Sequence, residues 1–219
     1  MSKKVIVVGS TGMVGGIVLQ LCLHSDAMTE VIALVRKPTN TKHSKYKELV
    51  VTDFLNYDNY INSFNEVDII YYCLGVYTGA VPSAEFRIIN FDYPYIFAKT
   101  IHARSPNAVF CLLSGQGADK TEQSKIQFAR DKGAIENAIA ALQFSAFYSF
   151  RPGYIYPTKK RIEPNVFYRL YRILYPIIKL LGINFSITDQ QLAHTMFMVG
   201  QQGYHQSILE NKEMRLLNL

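Results

Sequence analysis

Three glycines stand at equal intervals in the stretch KKVIVVGSTGMVGG: Gly9, Gly12 and Gly15, straight after four branched apolar residues. A strand, a glycine turn and a helix opening at Gly12 would aim several backbone N–H groups and a helix N-terminus at one spot, which attracts a phosphate. Glycine there permits positive φ, close backbone approach and tight helix–strand packing. The spacing Gly9-x-x-Gly12-x-x-Gly15 differs by one residue from the G-x-G-x-x-G dinucleotide fingerprint, in the context that fingerprint needs. No Gly-Lys-Ser/Thr follows, which disfavours a Walker-type loop. The plainer role is a turn used only for packing. The reading is a dinucleotide site along Gly9, Ser10, Thr11, Gly12, Met13, Val14 and Gly15.

The second strand bears on which dinucleotide. An acidic residue about 20 residues past the glycines would hold a ribose 2′-hydroxyl. VIALVRKP instead puts Arg36 and Lys37 there, and a guanidinium suits a 2′-phosphate. NADP is therefore expected over NAD. Asp53, closing VTDF, could accept from the adenine amino group or serve only as a strand-end residue. The five histidines are scattered with no pair at ligand spacing, so no metal is expected. LLSGQG around Ser114 lacks the Gly-x-Ser-x-Gly of a hydrolase elbow.

These residues need a scaffold, and the pattern supplies one. Strand-like runs at KVIVVG, Glu30–Val35, Lys47–Asp53, Val67–Gly75, Ala108–Gly115 and Ser145–Gly153 alternate with helix-like segments. The helices are Gly12–His24, Asn56–Phe64, Pro82 to about Arg104, and Lys125–Leu142. Strands apolar on both faces between helices mean a parallel sheet covered on both sides. Residues 154–165 read as a loop. Two further helices follow near Val166–Leu181 and Asp189–Gln201, with Thr188 and Gln191 fitting a capping box. Glu213–Leu219 reads as a last strand.

The bulk properties fit one large domain, or a domain with a small annex. With 219 residues, 49% of them hydrophobic, the chain can bury a full core. Ser2, Lys3 and Lys4 lead straight into a strand-like run, unlike a cleavable signal. No uncharged apolar stretch is long enough to span a bilayer. Cys22, Cys73 and Cys111 lie far apart, and the expectation is buried thiols in a reducing cytoplasm. The net charge of +6 gathers in two clusters. One holds Arg36, Lys37, Lys42, Lys45 and Lys47; the other holds Arg151, Lys159, Lys160, Arg161, Arg169 and Arg172. No recognition motif accompanies them, so nucleic acid is not the expected partner.

The stretches VVGSTGMVGG, VIALVRK, VTDF, YYCLG, LLSGQGADK, KGAIENAI, FYSFRPG and ILENKEM span nearly the whole chain. Together they resemble the short-chain dehydrogenase/reductase superfamily, in its atypical NmrA-like or epimerase-like branch. The chain is most similar there to the Tat-interacting-protein group of oxidoreductase-like proteins. The resemblance implies a Rossmann-type fold and roles for particular positions. Ser114 falls where the superfamily's catalytic serine hydrogen-bonds a substrate carbonyl. Lys132 falls where the lysine of Tyr-x-x-x-Lys binds the nicotinamide ribose. Asp53-Phe54 and Leu74-Gly75 would flank the cofactor, Asn90 would support the active site, and Arg151-Pro152-Gly153 would run beside the nicotinamide. One position departs: FARDK puts Phe128 where the proton-donating tyrosine belongs. A phenyl ring cannot exchange a proton, although the nicotinamide itself would supply hydride. Tyr71, Tyr72, Tyr77, Tyr154 and Tyr156 flank the expected pocket, with packing as their plainer role.

The stretch Val166–Ile183 carries an apolar stripe with Arg169, Arg172 and Lys179 largely off it. Pro176 interrupts the continuous helix that a membrane surface would favour. A lid over the substrate pocket or a homodimer contact is expected in preference to a membrane. The expectation is thus an α/β, doubly wound parallel sheet over residues 1–153, with a small, mostly helical annex over 154–219. It would be an NADP-dependent oxidoreductase of a small apolar or aromatic substrate. The alternative is a cofactor-binding sensor or interaction protein without turnover.

Overall fold

In β1 (Lys3–Val8) every second residue turns to the opposite side of a sheet, and both sides are apolar. Val5 and Val7 enter one core, while Ile6 and Val8 enter the other. This period-two split, repeated in β2 (Met28–Val35), forces helices onto both faces. The structure is a computed structural model that describes residues 2–159, 175, 182 and 184–218.

Five more strands complete the main sheet: β3 (Tyr46–Val50), β4 (Ile69–Tyr72), β5 (Val109–Leu113), β6 (Ala146–Arg151) and, late in the chain, β9 (Ile208–Glu210). The order is β3-β2-β1-β4-β5-β6-β9, and every pairing is parallel. Chain direction across the sheet reverses between β1 and β4. In such sheets a crevice opens at the carboxyl ends of the strands at that switch point.

One face is covered by α1 (Met13–His24) and α5 (Asp189–Gln202), which contact each other. The other carries a 3-10 turn at Asp58–Phe64, α3 (Tyr93–His102) and α4 (Gln127–Ala140). Phe64, Phe97 and Phe110 are fully buried there. The helix expected from Pro82 to about Arg104 is α2 (Ser83–Arg87), a π turn at Ile88–Asp92, and then α3. Three free cysteines lie in the protein, with Cys22 and Cys111 fully buried.

The C-terminal part departs from the sequence reading. Within the expected loop 154–165, β7 (Tyr154–Tyr156) is a strand and pairs in parallel with β8 (Ser186–Thr188). The expected strand Glu213–Leu219 is instead largely α6 (Asn211–Leu216), and the last strand is β9, just before it. The chain after Gly153 thus returns to the main sheet and supplies its seventh strand. The capping box holds: Thr188 Oγ1 accepts from the Gln191 N–H, and the Gln191 side chain accepts from the Thr188 N–H. The helix expected at Val166–Leu181 lies outside the described residues apart from Tyr175, as do Lys160 and Arg161. No helix among the described residues is long and apolar enough to cross a membrane.

Candidate functional site

The turn after β1 is built by its glycines. Gly9 has φ +82°, and a Cβ there would sit 2.7 Å from the Leu74 nitrogen. A Cβ on Gly15 would collide with the Gly9 carbonyl. The Gly12 N–H donates to the Gly9 carbonyl at 2.9 Å and folds the turn shut. Gly12 then caps α1 with no side-chain hydrogen bond, and no acidic residue stands in the first turn. The positive end of that helix is therefore uncompensated locally. Ser10 is buried, and its hydroxyl has no partner among the described residues.

A cavity of about 810 Å³ opens in front of this turn. Its walls come from segments that follow four strands: Gly12–Val14 after β1, Cys73–Thr78 after β4, Leu113–Gln116 at the end of β5, and Pro152–Ile155 after β6. Phe185 closes one side. Eight of the expected cofactor positions meet on it: Gly12, Met13, Val14, Leu74, Gly75, Lys132, Pro152 and Gly153. An uncapped helix N-terminus, a glycine turn and an orphaned buried hydroxyl at a strand-end crevice fit a dinucleotide.

The remaining expected cofactor residues lie outside the cavity walls. Arg36 and Lys37 are exposed at the end of β2, with no hydrogen-bond or ion-pair partner among the described residues. The loop after them is anchored by Glu48, whose carboxylate accepts from the Thr39 N–H and hydroxyl and from Tyr46. Asp53 is exposed, and its carboxylate accepts from the Leu55 N–H at 2.8 Å. Phe54 packs in the core against Tyr57 and Tyr93. Arg151 turns its guanidinium away from the cavity into a buried ion pair, leaving the neighbouring Pro152 and Gly153 to form the wall.

Four of the lining residues, Lys132, Asn90, Gly75 and Phe128, set the cavity's character. Lys132 is only 7% exposed. Burial pushes its amine down from 10.5 to about 8, against the opposing pull of Glu136 and Asp131. Asn90, on the π turn, donates to the Phe86 carbonyl at 3.0 Å, while its Oδ1 has no partner among the described residues. Gly75 lies between them: a Cβ there would be 3.1 Å from Asn90 Oδ1 and 3.8 Å from Lys132 Nζ. Phe128 lines the wall beside Ser114 and Gly115.

Of the five tyrosines expected near the pocket, Tyr77 and Tyr154 line it. Tyr71 and Tyr72, in β4, are fully buried on opposite faces of the sheet, with Tyr71 donating to the Phe197 carbonyl. Tyr156 stacks on Tyr175 at 3.7 Å between centroids.

Sequence reasoning missed the charges behind the wall. Glu136, 1% exposed, accepts from Ser114 Oγ at 2.6 Å, Ser149 Oγ at 2.7 Å and Arg151 Nε at 3.0 Å. A further bond joins Arg151 Nη2 to the other carboxylate oxygen. Arg151 also meets Glu210 at 3.0 Å. A signal was present. Glu136 stands seven residues after Ala129 and three before Ile139, on the stripe that reads as buried.

The sequence pattern of the NAD dependent epimerase/dehydratase family matches residues 5–143. Protein HTATIP2 of Rattus norvegicus is 27% identical over 166 residues, which are 75% of this chain and 67% of that protein. The mitochondrial protein FMP52 of Lodderomyces elongisporus is 29% identical over 163 residues, covering 70% of this chain and 67% of its own length. Among solved structures, the Bordetella bronchiseptica enzyme WbmH in complex with NAD+ superposes with a TM-score of 0.68 at 13% identity. That match covers 92% of this chain and 73% of WbmH. At such identity the likeness speaks for the fold.

Proposed function

The chain belongs to the NAD dependent epimerase/dehydratase family, and from that premise we propose that it is an NADP(H)-dependent oxidoreductase of a small apolar or aromatic substrate. The glycine turn and the N-terminus of α1 would hold the pyrophosphate, Lys132 the nicotinamide ribose, and Gly75, Pro152 and Gly153 the walls beside the ring. The bound nicotinamide would supply hydride. The largely apolar residues around it, Val76, Ile155, Phe128 and Phe185, would hold the substrate and keep water from the reacting carbon.

The observation that carries the NADP reading is Arg36. It stands exposed beyond β2 with no partner among the described residues, where an acidic residue would favour NAD. Titrating NADPH and NADH by fluorescence tests it. Hydrogen bonds to charged groups contribute about 1.5–3 kcal/mol, roughly a 10- to 100-fold preference for NADPH. Arg36→Asp should narrow or invert that gap, and equal affinities in the unaltered protein would remove the claim.

Phe128 favours a second reading, a cofactor-binding sensor or interaction protein without turnover. Steady NADPH consumption against a panel of quinones, flavins and carbonyls separates the two. The thiols, all free, support a reducing compartment, and the cytoplasm is our reading.

A further inference from the structure

The hydroxyl of Ser114 has one proton, and the structure shows where it goes. Ser114 Oγ lies 2.6 Å from Glu136 Oε1. The same oxygen takes Ser149 Oγ and Arg151 Nε, and the second oxygen takes Arg151 Nη2. Every group around this carboxylate is a donor or a hydroxyl able to donate, and the guanidinium stays charged at any ordinary pH. A proton on either oxygen would face an arginine N–H. Glu136 is thus the acceptor in each of these contacts, as the carboxylate of an ion pair with Arg151 must be. Ser114 must donate to it.

What remains for the cavity is the other side of the serine oxygen. Ser114 is 8% exposed and lines the cavity wall, so its lone pairs meet whatever binds there. Donating to a ligand carbonyl would mean giving up a hydrogen bond to a charged partner, about twice as strong as a neutral one. A carbonyl oxygen placed against the serine as it stands would oppose acceptor to acceptor. A hydroxyl would instead donate to Ser114.

We propose that Glu136 is a positioning residue that fixes Ser114 as a hydrogen-bond acceptor, so that the cavity selects a hydroxyl-bearing ligand, an apolar or aromatic alcohol, over the corresponding carbonyl compound. This rests on the reading that the cavity takes a small substrate beside the cofactor. It reverses the role that the superfamily resemblance implies for Ser114.

The test uses the full chain and a matched pair of one skeleton, 1-phenylethanol and acetophenone. Affinities are read by ligand-observed NMR on the chain alone and on the chain saturated with tetrahydro-NADP, which cannot transfer hydride. The alcohol is expected to bind about tenfold tighter, since a site built to pair with a hydroxyl rejects an analogue that lacks it. Ser114→Ala should bring the two to parity. Ser149→Ala, which removes a hydroxyl from the same carboxylate outside the cavity wall, should leave the preference in place. A second measurement needs no ligand: the Ser114 hydroxyl proton should exchange slowly, show contacts to the Glu136 side chain and vanish in Ser114→Ala. Equal or tighter binding of the ketone, no binding of the alcohol, or a rapidly exchanging Ser114 proton would overturn the proposal. Failure to bind NADPH or tetrahydro-NADP would sink the cofactor reading while the preference on the chain alone could still be read.

Discussion

Phe128 and Gly115 form one feature. A Cβ on Gly115 would lie 2.5 Å from Phe128 Cζ, with the two Cε atoms farther away at 3.3 and 3.5 Å. The ring therefore points end-on at the glycine. A tyrosine at 128 looks from the sequence like a way to restore the missing acid, since positions 128 and 132 share a helix face. The geometry argues otherwise, because the added hydroxyl would leave Cζ straight towards the Gly115 α-carbon. Phe128→Tyr is expected to destabilise the fold by about 1–3 kcal/mol, as overpacking does, with no gain in carbonyl reduction. Urea unfolding and an NADPH assay check it, and a stable variant with new activity would show that the ring tip has room. The type of residue at 128 was legible in the sequence. The direction of its ring was not, because that is set by a glycine thirteen residues away in a different segment.

At the scale of elements, legibility followed length and periodicity. The β1–α1 turn, the doubly apolar strands and the Thr188–Gln191 capping box could be read because each repeats a local rule. The three-residue strands β7, β8 and β9 could not: three residues carry no period, and their partners are distant in the chain. These unread pieces nonetheless hold the cavity wall. Asn211, just after β9 and 1% exposed, accepts from the Gly153 N–H at 2.9 Å and donates to the Ser186 carbonyl at 3.0 Å. It ties the Pro152–Gly153 turn to the start of β8. Asn211→Ala leaves the Gly153 N–H without its acceptor, at a cost of about 1–3 kcal/mol, while the Ser186 carbonyl keeps Arg215 Nη1 at 3.1 Å. The expected result is a lower urea midpoint together with weaker NADPH binding, since Gly153 lines the cavity. Loss of stability with unchanged cofactor affinity would mean that the clip serves the fold alone.

At the scale of the whole molecule, two sets of buried groups pull the pH dependence of stability in opposite directions. Burial holds the Lys132 amine at about 8 in the folded protein, against 10.5 ordinarily. Between those values the unfolded chain binds more protons than the folded one, so stability rises with pH through this window. Below about 8 the penalty of burying the ammonium is fully present, and the fall from 10.5 bounds it at roughly 3 kcal/mol. The thiols and phenols act the other way. Burial raises Cys73 to about 12 and pushes Cys22, Cys111, Tyr57, Tyr71 and Tyr72 well above their ordinary 9.0 and 10.0. These groups ionise in the unfolded chain but stay protonated in the fold. Their stabilisation is complete below about pH 9 and is lost as pH climbs past it. The cofactor-free protein should therefore be most stable between about pH 8 and 9. Lys132→Met should raise the thermal midpoint at pH 7 and abolish the rise towards pH 8.5, while keeping the decline at higher pH. A variant that still gains stability over that interval would assign the effect to other groups and place the Lys132 ammonium in better contact with water than its burial implies.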